Sequence, residues 1–119
     1  MFAAARLEGA ASRGGVMSAD PIVVLIEFKI QPGKESLAMQ VMTSLIATVK
    51  REEPACSGIT MIRDAADPSR IVLYELWPDR DSYLGPHMET PHIKAFRSQA
   101  GDLFAGPAEI TFWDIVSRV

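Results

Sequence analysis

Two hydrophobic periods alternate along the chain from residue 20 onward. Residues 22–30 (IVVLIEFKI) place Ile22, Val24, Ile26, Phe28 and Ile30 on one parity. The other parity carries Val23 and Leu25, then turns polar at Glu27 and Lys29. β-Branched and aromatic residues at a period of two predict a strand. Pro32-Gly33 ends it, and a 3.6-residue period follows over 34–52, with Leu37, Val41, Leu45 and Thr48 in one row flanked by Ala38, Met42 and Val49. Pro54 stops this helix. Strands are predicted at 57–64 and 71–77, joined by the turn Ala66-Asp67-Pro68-Ser69. A short helix begins near Asp79 and breaks at Gly85-Pro86. Thr90-Pro91 reads as an N-cap followed by proline in the first helical turn, opening a helix with Ile93, Phe96, Ala100 and Leu103 on one face. Gly106-Pro107 closes it, and a last strand is expected at 109–116.

The resulting order, β-α-β-β-α-β, is the split βαβ arrangement of a ferredoxin-like α+β domain. Two helices cover only one face of a four-stranded sheet. Yet the strand at 71–77 is apolar on both parities, with Ile71, Leu73 and Trp77 on one and Val72, Tyr74 and Leu76 on the other. No third layer remains in the chain to cover the second face. A second copy packed sheet to sheet about a two-fold axis is the economical cover, so a homodimer is expected.

The length of 119 residues suits one domain, placed at 19–119. Residues 1–18, rich in Ala, Gly and Arg, lack any apolar period and are expected to be a mobile extension; they read as an upstream start or cloning remnant ahead of Met17. Apolar residues make up 48% and charged residues 23%, with a net charge of -3. There is no basic stripe to neutralise phosphates, which argues against a nucleic-acid partner. The apolar runs are too short to cross a membrane as a helix. A lone cysteine, Cys56, excludes an internal disulfide, and the two histidines, His87 and His92, lie five positions apart across a Thr-Pro cap, a poor spacing for a metal. No metal is expected. A small cytoplasmic protein follows from this balance.

Chemistry-bearing residues concentrate in 75–97: Glu75, Trp77, Tyr83, His87, His92 and Arg97. A strand end meeting a helix start makes a plausible pocket mouth. His87 is the candidate base, against a histidine merely hydrogen-bonded to backbone in a loop, and Glu75 its acid–base companion; a carboxylate inside an apolar strand needs a partner, and Arg63, Arg70 or an arginine of a second subunit would make it a structural ion pair instead. Trp77, Tyr83, His92 and Arg97 are candidates for holding substrate. Each has a duller alternative: packing for Trp77, sealing of the short helix for Tyr83, packing at the helix start for His92, and a solvent-facing role for Arg97. Cys56 reads as an inert small residue and the methionines at 39 and 42 as core filler.

Taken in order, Glu53-Pro54-Ala55-Cys56, the Asp67-Pro68-Ser69-Arg70 hairpin, Glu75-Leu76-Trp77, and His87 followed by Thr90-Pro91-His92 resemble the antibiotic biosynthesis monooxygenase family over residues 21–117. The resemblance implies a dimeric α+β barrel. It also implies oxygenation of a small phenol or quinol by O2 with no cofactor, in a pocket lined by a strand-end Trp, a Tyr soon after it and a helical Arg, which Trp77, Tyr83 and Arg97 match. Leu73 stands where some members carry an assisting Asn. Haem degradation, another activity of such folds, uses a Trp and a later His where this chain has His87 and Arg97. Isomerase or lyase chemistry on a small carbonyl compound, and a non-catalytic ligand-binding dimer, are the alternatives on the same fold.

Overall fold

The computed structural model describes residues 20–119; the extension expected at 1–18 lies outside the described residues. The elements run β1 (Ile22–Lys29), α1 (Glu35–Glu52), β2 (Gly58–Arg63), β3 (Arg70–Trp77), α2 (Arg80–Leu84), a 3-10 turn (Pro86–Glu89), α3 (Pro91–Leu103) and β4 (Glu109–Trp113). The sheet order is β2-β3-β1-β4 with every pair antiparallel, which is the ferredoxin-like topology.

Strand pairing fixes which residues share a face. Val24 lies opposite Glu75 and Ile26 opposite Leu73, with Ile59 and Met61 beyond them on β2 and Phe112 and Ile110 on β4. This inner face packs under α1 and α3. The outer face carries Val23, Leu25, Val72, Tyr74, Leu76, Ile62 and Trp113. Ile62 and Trp113 are 52% and 54% exposed, so part of the outer face presents open apolar side chains, beside the charged Glu27, Lys29 and Arg70.

Helix α1 is turned relative to the sequence expectation. Ala38, Met42 and Val49 form its buried row, whereas Leu37 is exposed and Leu45 and Ile46 pack along the flank. The apolar positions span more than half of the helix circumference, so periodicity alone left the facing row open. Strand β4 is also shorter than the expected 109–116: pairing stops at Trp113, and Val116 stands in solvent.

The end of α3 is stitched to the end of β1. Ile30 and Phe104 form a β-bridge, Gln31 N–H donates to the Leu103 carbonyl at 2.8 Å, and the Gln31 amide donates to the carbonyls of Gly101 and Phe104 at 2.8 and 3.1 Å. Behind this seam, Phe28, Phe96 and Phe104 pack with ring centroids 4.8 to 6.0 Å apart. Burying each such ring stabilises the fold by roughly 1.5–3 kcal/mol. Gly106, at φ +90°, turns the chain from α3 towards β4, a conformation that other L-residues rarely adopt.

Candidate active site

Between the inner face of the sheet and the helices lies a cavity of about 1240 Å³. Its walls are apolar, drawn from Ile26, Phe28 and Leu73 on the sheet and from Ile46, Ile93 and Phe96 on the helices. Glu75, Tyr83 and His87 reach the cavity as one polar cluster, and Gln31 and Arg97 also line it. An apolar chamber with a few convergent polar groups is the usual form of a small-molecule site.

Period-two geometry sends Glu75 and Trp77 to the same face of β3, and both are buried. The Trp77 indole Nε1–H donates to Glu75 Oε1 at 2.8 Å. Glu75 is only 4% exposed. Burial is the main cause that pushes its carboxyl up to about 7; the charge of Glu53 adds to the rise and the Trp77 hydrogen bond opposes it. Near neutrality Glu75 therefore occupies both protonation states.

Asp79 caps α2 by accepting from the Ser82 N–H at 2.8 Å, which sets Tyr83 on the inward side of that short helix. The Tyr83 ring meets Trp77 edge-on at 5.7 Å and lies against His87 at 4.8 Å. Burial, with Glu75 second, raises its phenol well above the ordinary tyrosine value, so Tyr83 stays a neutral donor. His87 completes the cluster, 4.6 Å from Trp77 between ring centroids and 3% exposed. Burial lowers its pKa, partly offset by hydrogen bonding to Glu53, so its resting form is the neutral ring.

Glu53, the residue that ends α1, supplies the counterpart. Its Oε1 and Oε2 lie 2.9 and 3.0 Å from His87 Nδ1, and Oε2 lies 2.6 Å from His92 Nε2. A carboxylate has only lone pairs to offer, so Nδ1 of His87 carries the hydrogen and Nε2 keeps the lone pair. The hydroxyl of Thr90 fixes the stretch between the two histidines. It donates to the His87 carbonyl at 2.8 Å and accepts from the Ile93 N–H at 3.3 Å, the capping role expected of it.

Of the six residues singled out in the sequence, the structure brings Glu75, Tyr83 and His87 together on the cavity wall, whereas Trp77, expected as a substrate wall, is fully buried behind them and does not line the cavity. His92 does not line the cavity; it approaches the cluster from outside, through Glu53. Arg97 is exposed and lines the cavity from α3. Glu75 does not pair with Arg63 or Arg70 either. Arg70 instead holds Glu27 at 2.5 Å and Asp64 at 3.2 Å on the outer side of the sheet. Glu53 was missed as a site residue because it follows a charged helix end, Lys50-Arg51-Glu52, where a solvent-facing carboxylate is the ordinary expectation. Cys56 is buried beside this region, and burial, with Glu75 second, pushes its thiol up to about 11, which leaves it unreactive at neutral pH. Among the described residues no three His, Cys, Asp or Glu side chains are arranged to hold a metal ion, and no helix is long and apolar enough to cross a membrane.

Comparison with known proteins places this geometry in context. The family model for antibiotic biosynthesis monooxygenase matches residues 21–99. The Mycobacterium tuberculosis protein named "Putative monooxygenase Rv0793" is 29% identical over 91 residues, covering 76% of this chain and 87% of its own. The solved structure of Rv0793 superposes with a TM-score of 0.71 at 24% identity, covering 82% of this chain and 97% of that one. The structure of PA3566 from Pseudomonas aeruginosa superposes with a TM-score of 0.73 at 21% identity, covering 83% and 97%. At these identities the two structures establish the shared fold alone.

Proposed function

The chain belongs to the antibiotic biosynthesis monooxygenase family, and on that premise we propose that it oxygenates a small phenolic or quinol-type aromatic substrate with O2, without a cofactor. The observation that carries this reading is the placement of a neutral imidazole, with its Nδ1 hydrogen committed to Glu53, on the wall of a large apolar cavity. Triplet oxygen reacts slowly with closed-shell molecules. A ring that has lost its phenolic proton becomes electron-rich enough to donate one electron to it.

In this scheme His87 Nε2 takes the phenolic proton, and the anion is held in a chamber whose low polarity strengthens the remaining hydrogen bonds. One electron passes to O2, and the two radicals combine at a ring carbon that bears hydrogen. Loss of water from the hydroperoxide leaves a carbonyl at that carbon. One oxygen atom enters the product and the other leaves as water, so the substrate supplies all the electrons. Tyr83 and the protonated form of Glu75 serve as neutral donors towards developing negative charge, Trp77 backs the cluster and holds Glu75 through its indole N–H, and Arg97 meets the substrate from α3.

The functional unit we propose is a homodimer in which the outer sheet faces of two copies meet. Leu25, Val72, Leu76, Ile62 and Trp113 lie on this face, and a two-fold contact through it leaves the cavity on the opposite side of the sheet undisturbed.

The test is oxygen consumption by chelator-treated protein against a panel of naphthoquinols, anthrones and polyphenols, with autoxidation subtracted. Uptake above the blank that persists with chelator supports the reading. Substrate turnover that proceeds equally well without oxygen would replace it with isomerase or lyase chemistry.

A further inference from the structure

Glu53 is an unusual place for a buried carboxylate. It caps the C-terminus of α1, its own N–H donating to the Val49 carbonyl at 2.9 Å. That end of a helix carries partial negative charge and disfavours an anion. Its side chain is nevertheless only 10% exposed, and both of its oxygens are taken up by imidazole nitrogens from two different segments, the 3-10 turn and the first turn of α3. The two rings differ in setting. His87 is sealed inside against Trp77 and Tyr83, whereas the His92 side chain is 16% exposed and lines a separate groove of about 410 Å³ between α1 and α3, beside Gln40, Ser44 and Thr48. One carboxylate thus joins an interior imidazole to a surface one.

We propose that Glu53 is a positioning residue that fixes His87 as a base with Nε2 towards the cavity, and that His92 is the solvent-facing group through which proton concentration adjusts the strength of that base. The inference rests on the reading of His87 as the base and adds a regulator to it. While His92 is neutral, the full charge of Glu53 faces His87 and favours the imidazolium that forms on proton uptake. Once His92 is protonated, it draws on the same charge, and His87 becomes a weaker base. Acidification then acts twice, by protonating His87 directly and by lowering its basicity through His92. The other titratable groups around the pair are Glu75 on β3, Tyr83 on α2 and Cys56 in the loop after α1. Lys50 lies on the last turn of α1, and Glu89 and Lys94 pair with one another at 3.2 Å near His92 in sequence. Two interacting imidazoles titrate as a coupled pair rather than as separate sites.

Two variants separate this role from simple bracing. His92→Gln keeps an N–H for Glu53 but carries no titrating charge. Glu53→Gln keeps the size of the side chain and removes the charge. Nitrogen-15 NMR of the imidazoles, in protein without substrate, reads both tautomer and titration directly. The expected result is an Nδ1–H tautomer for His87 and a titration of His87 that bends with that of His92. In His92→Gln, His87 should titrate as a single site, at higher pH than in the unaltered protein. In Glu53→Gln the tautomer should become mixed, with kcat falling at least about tenfold and KM little changed. An unchanged His87 titration in His92→Gln, or an Nε2–H tautomer in the unaltered protein, overturns the proposal. Because the NMR titration needs neither oxygen nor substrate, its outcome is independent of whether the oxygenase chemistry itself is found.

Discussion

The Trp77 indole hydrogen points at the carboxylate of Glu75, two residues earlier on the same strand, at 2.8 Å. A neutral donor relieves only part of the desolvation of a buried carboxylate, so the proton stays on Glu75 to about pH 7 against an ordinary value of 4.5. The folded state therefore binds more protons than the unfolded chain between those values. The stability that this excess contributes is present below pH 4.5 and is lost as pH rises through 7. Glu75→Gln, which still accepts from Trp77, is expected to unfold with the same free energy as the unaltered protein near pH 4.5. At pH 8 it should be more stable by about 1–3 kcal/mol. Urea denaturation at the two pH values checks this, and a difference that does not vary with pH would contradict it.

His87 shifts in the opposite sense. Its pKa is lowered in the fold, so the unfolded chain takes up the proton first, and His87 costs stability as pH falls below the ordinary histidine value of 6.5. His87→Gln should flatten this part of the stability profile. Oxygen uptake with a responsive quinol should fall by roughly 100- to 10,000-fold in the same variant, the usual contribution of a positioned base. Retention of full activity would remove His87 from that role.

Thr90 bonds His87 and the residue that follows His92 without lining the cavity. Its hydroxyl bonds the His87 carbonyl and caps α3 one residue pair before His92. Thr90→Ala is expected to cost about 1 kcal/mol of stability and to lower kcat more than KM, while Thr90→Ser restores both. Thermal denaturation and oxygen uptake measured side by side test the link. Loss of stability with kcat unchanged would show that the cap does not position the histidines.

On the outer face, Ile62→Lys replaces a half-exposed apolar side chain on β2, where a charge is tolerated in an isolated subunit. If two copies meet through this face, sedimentation equilibrium should show a dimer for the unaltered protein and a shift towards monomer for the variant, with the far-ultraviolet circular dichroism preserved. Monomer in both would refute the sheet-to-sheet assembly.

Sequence pattern located the elements well because each has a chemical stop: Pro32-Gly33, Pro54, Gly85-Pro86, Thr90-Pro91 and Gly106-Pro107 fall at or beside the observed boundaries. The strands were legible through their alternation, which also assigned Glu75 and Trp77 to one face. The facing row of α1 was not, since Leu37 and Met42 are equally apolar and only the tertiary packing chooses between them. Glu53 was hidden for a different reason. Its partners lie 34 and 39 positions further along the chain, and no local pattern marks a carboxylate that turns inward at the end of a charged helix. Arg97 shows the converse: the family resemblance suggested a pocket residue and its place in the helix a solvent-facing one, and only the structure shows it both exposed and in the cavity wall.

The two faces of β3 are interleaved residue by residue: Leu73, Glu75 and Trp77 lie on the inner face, while Val72, Tyr74 and Leu76 look out. The strand is locked in register on both sides, with eight pairs to β1 and six to β2. A single residue inserted or deleted within it would exchange the two sets at a stroke, exporting Glu75 and Trp77 and importing Tyr74 and Leu76. Length variation next to β3 is therefore confined to the hairpin at 64–69 and to the segment beyond Trp77, whereas substitutions along β3 can adjust the chamber and the outer face separately.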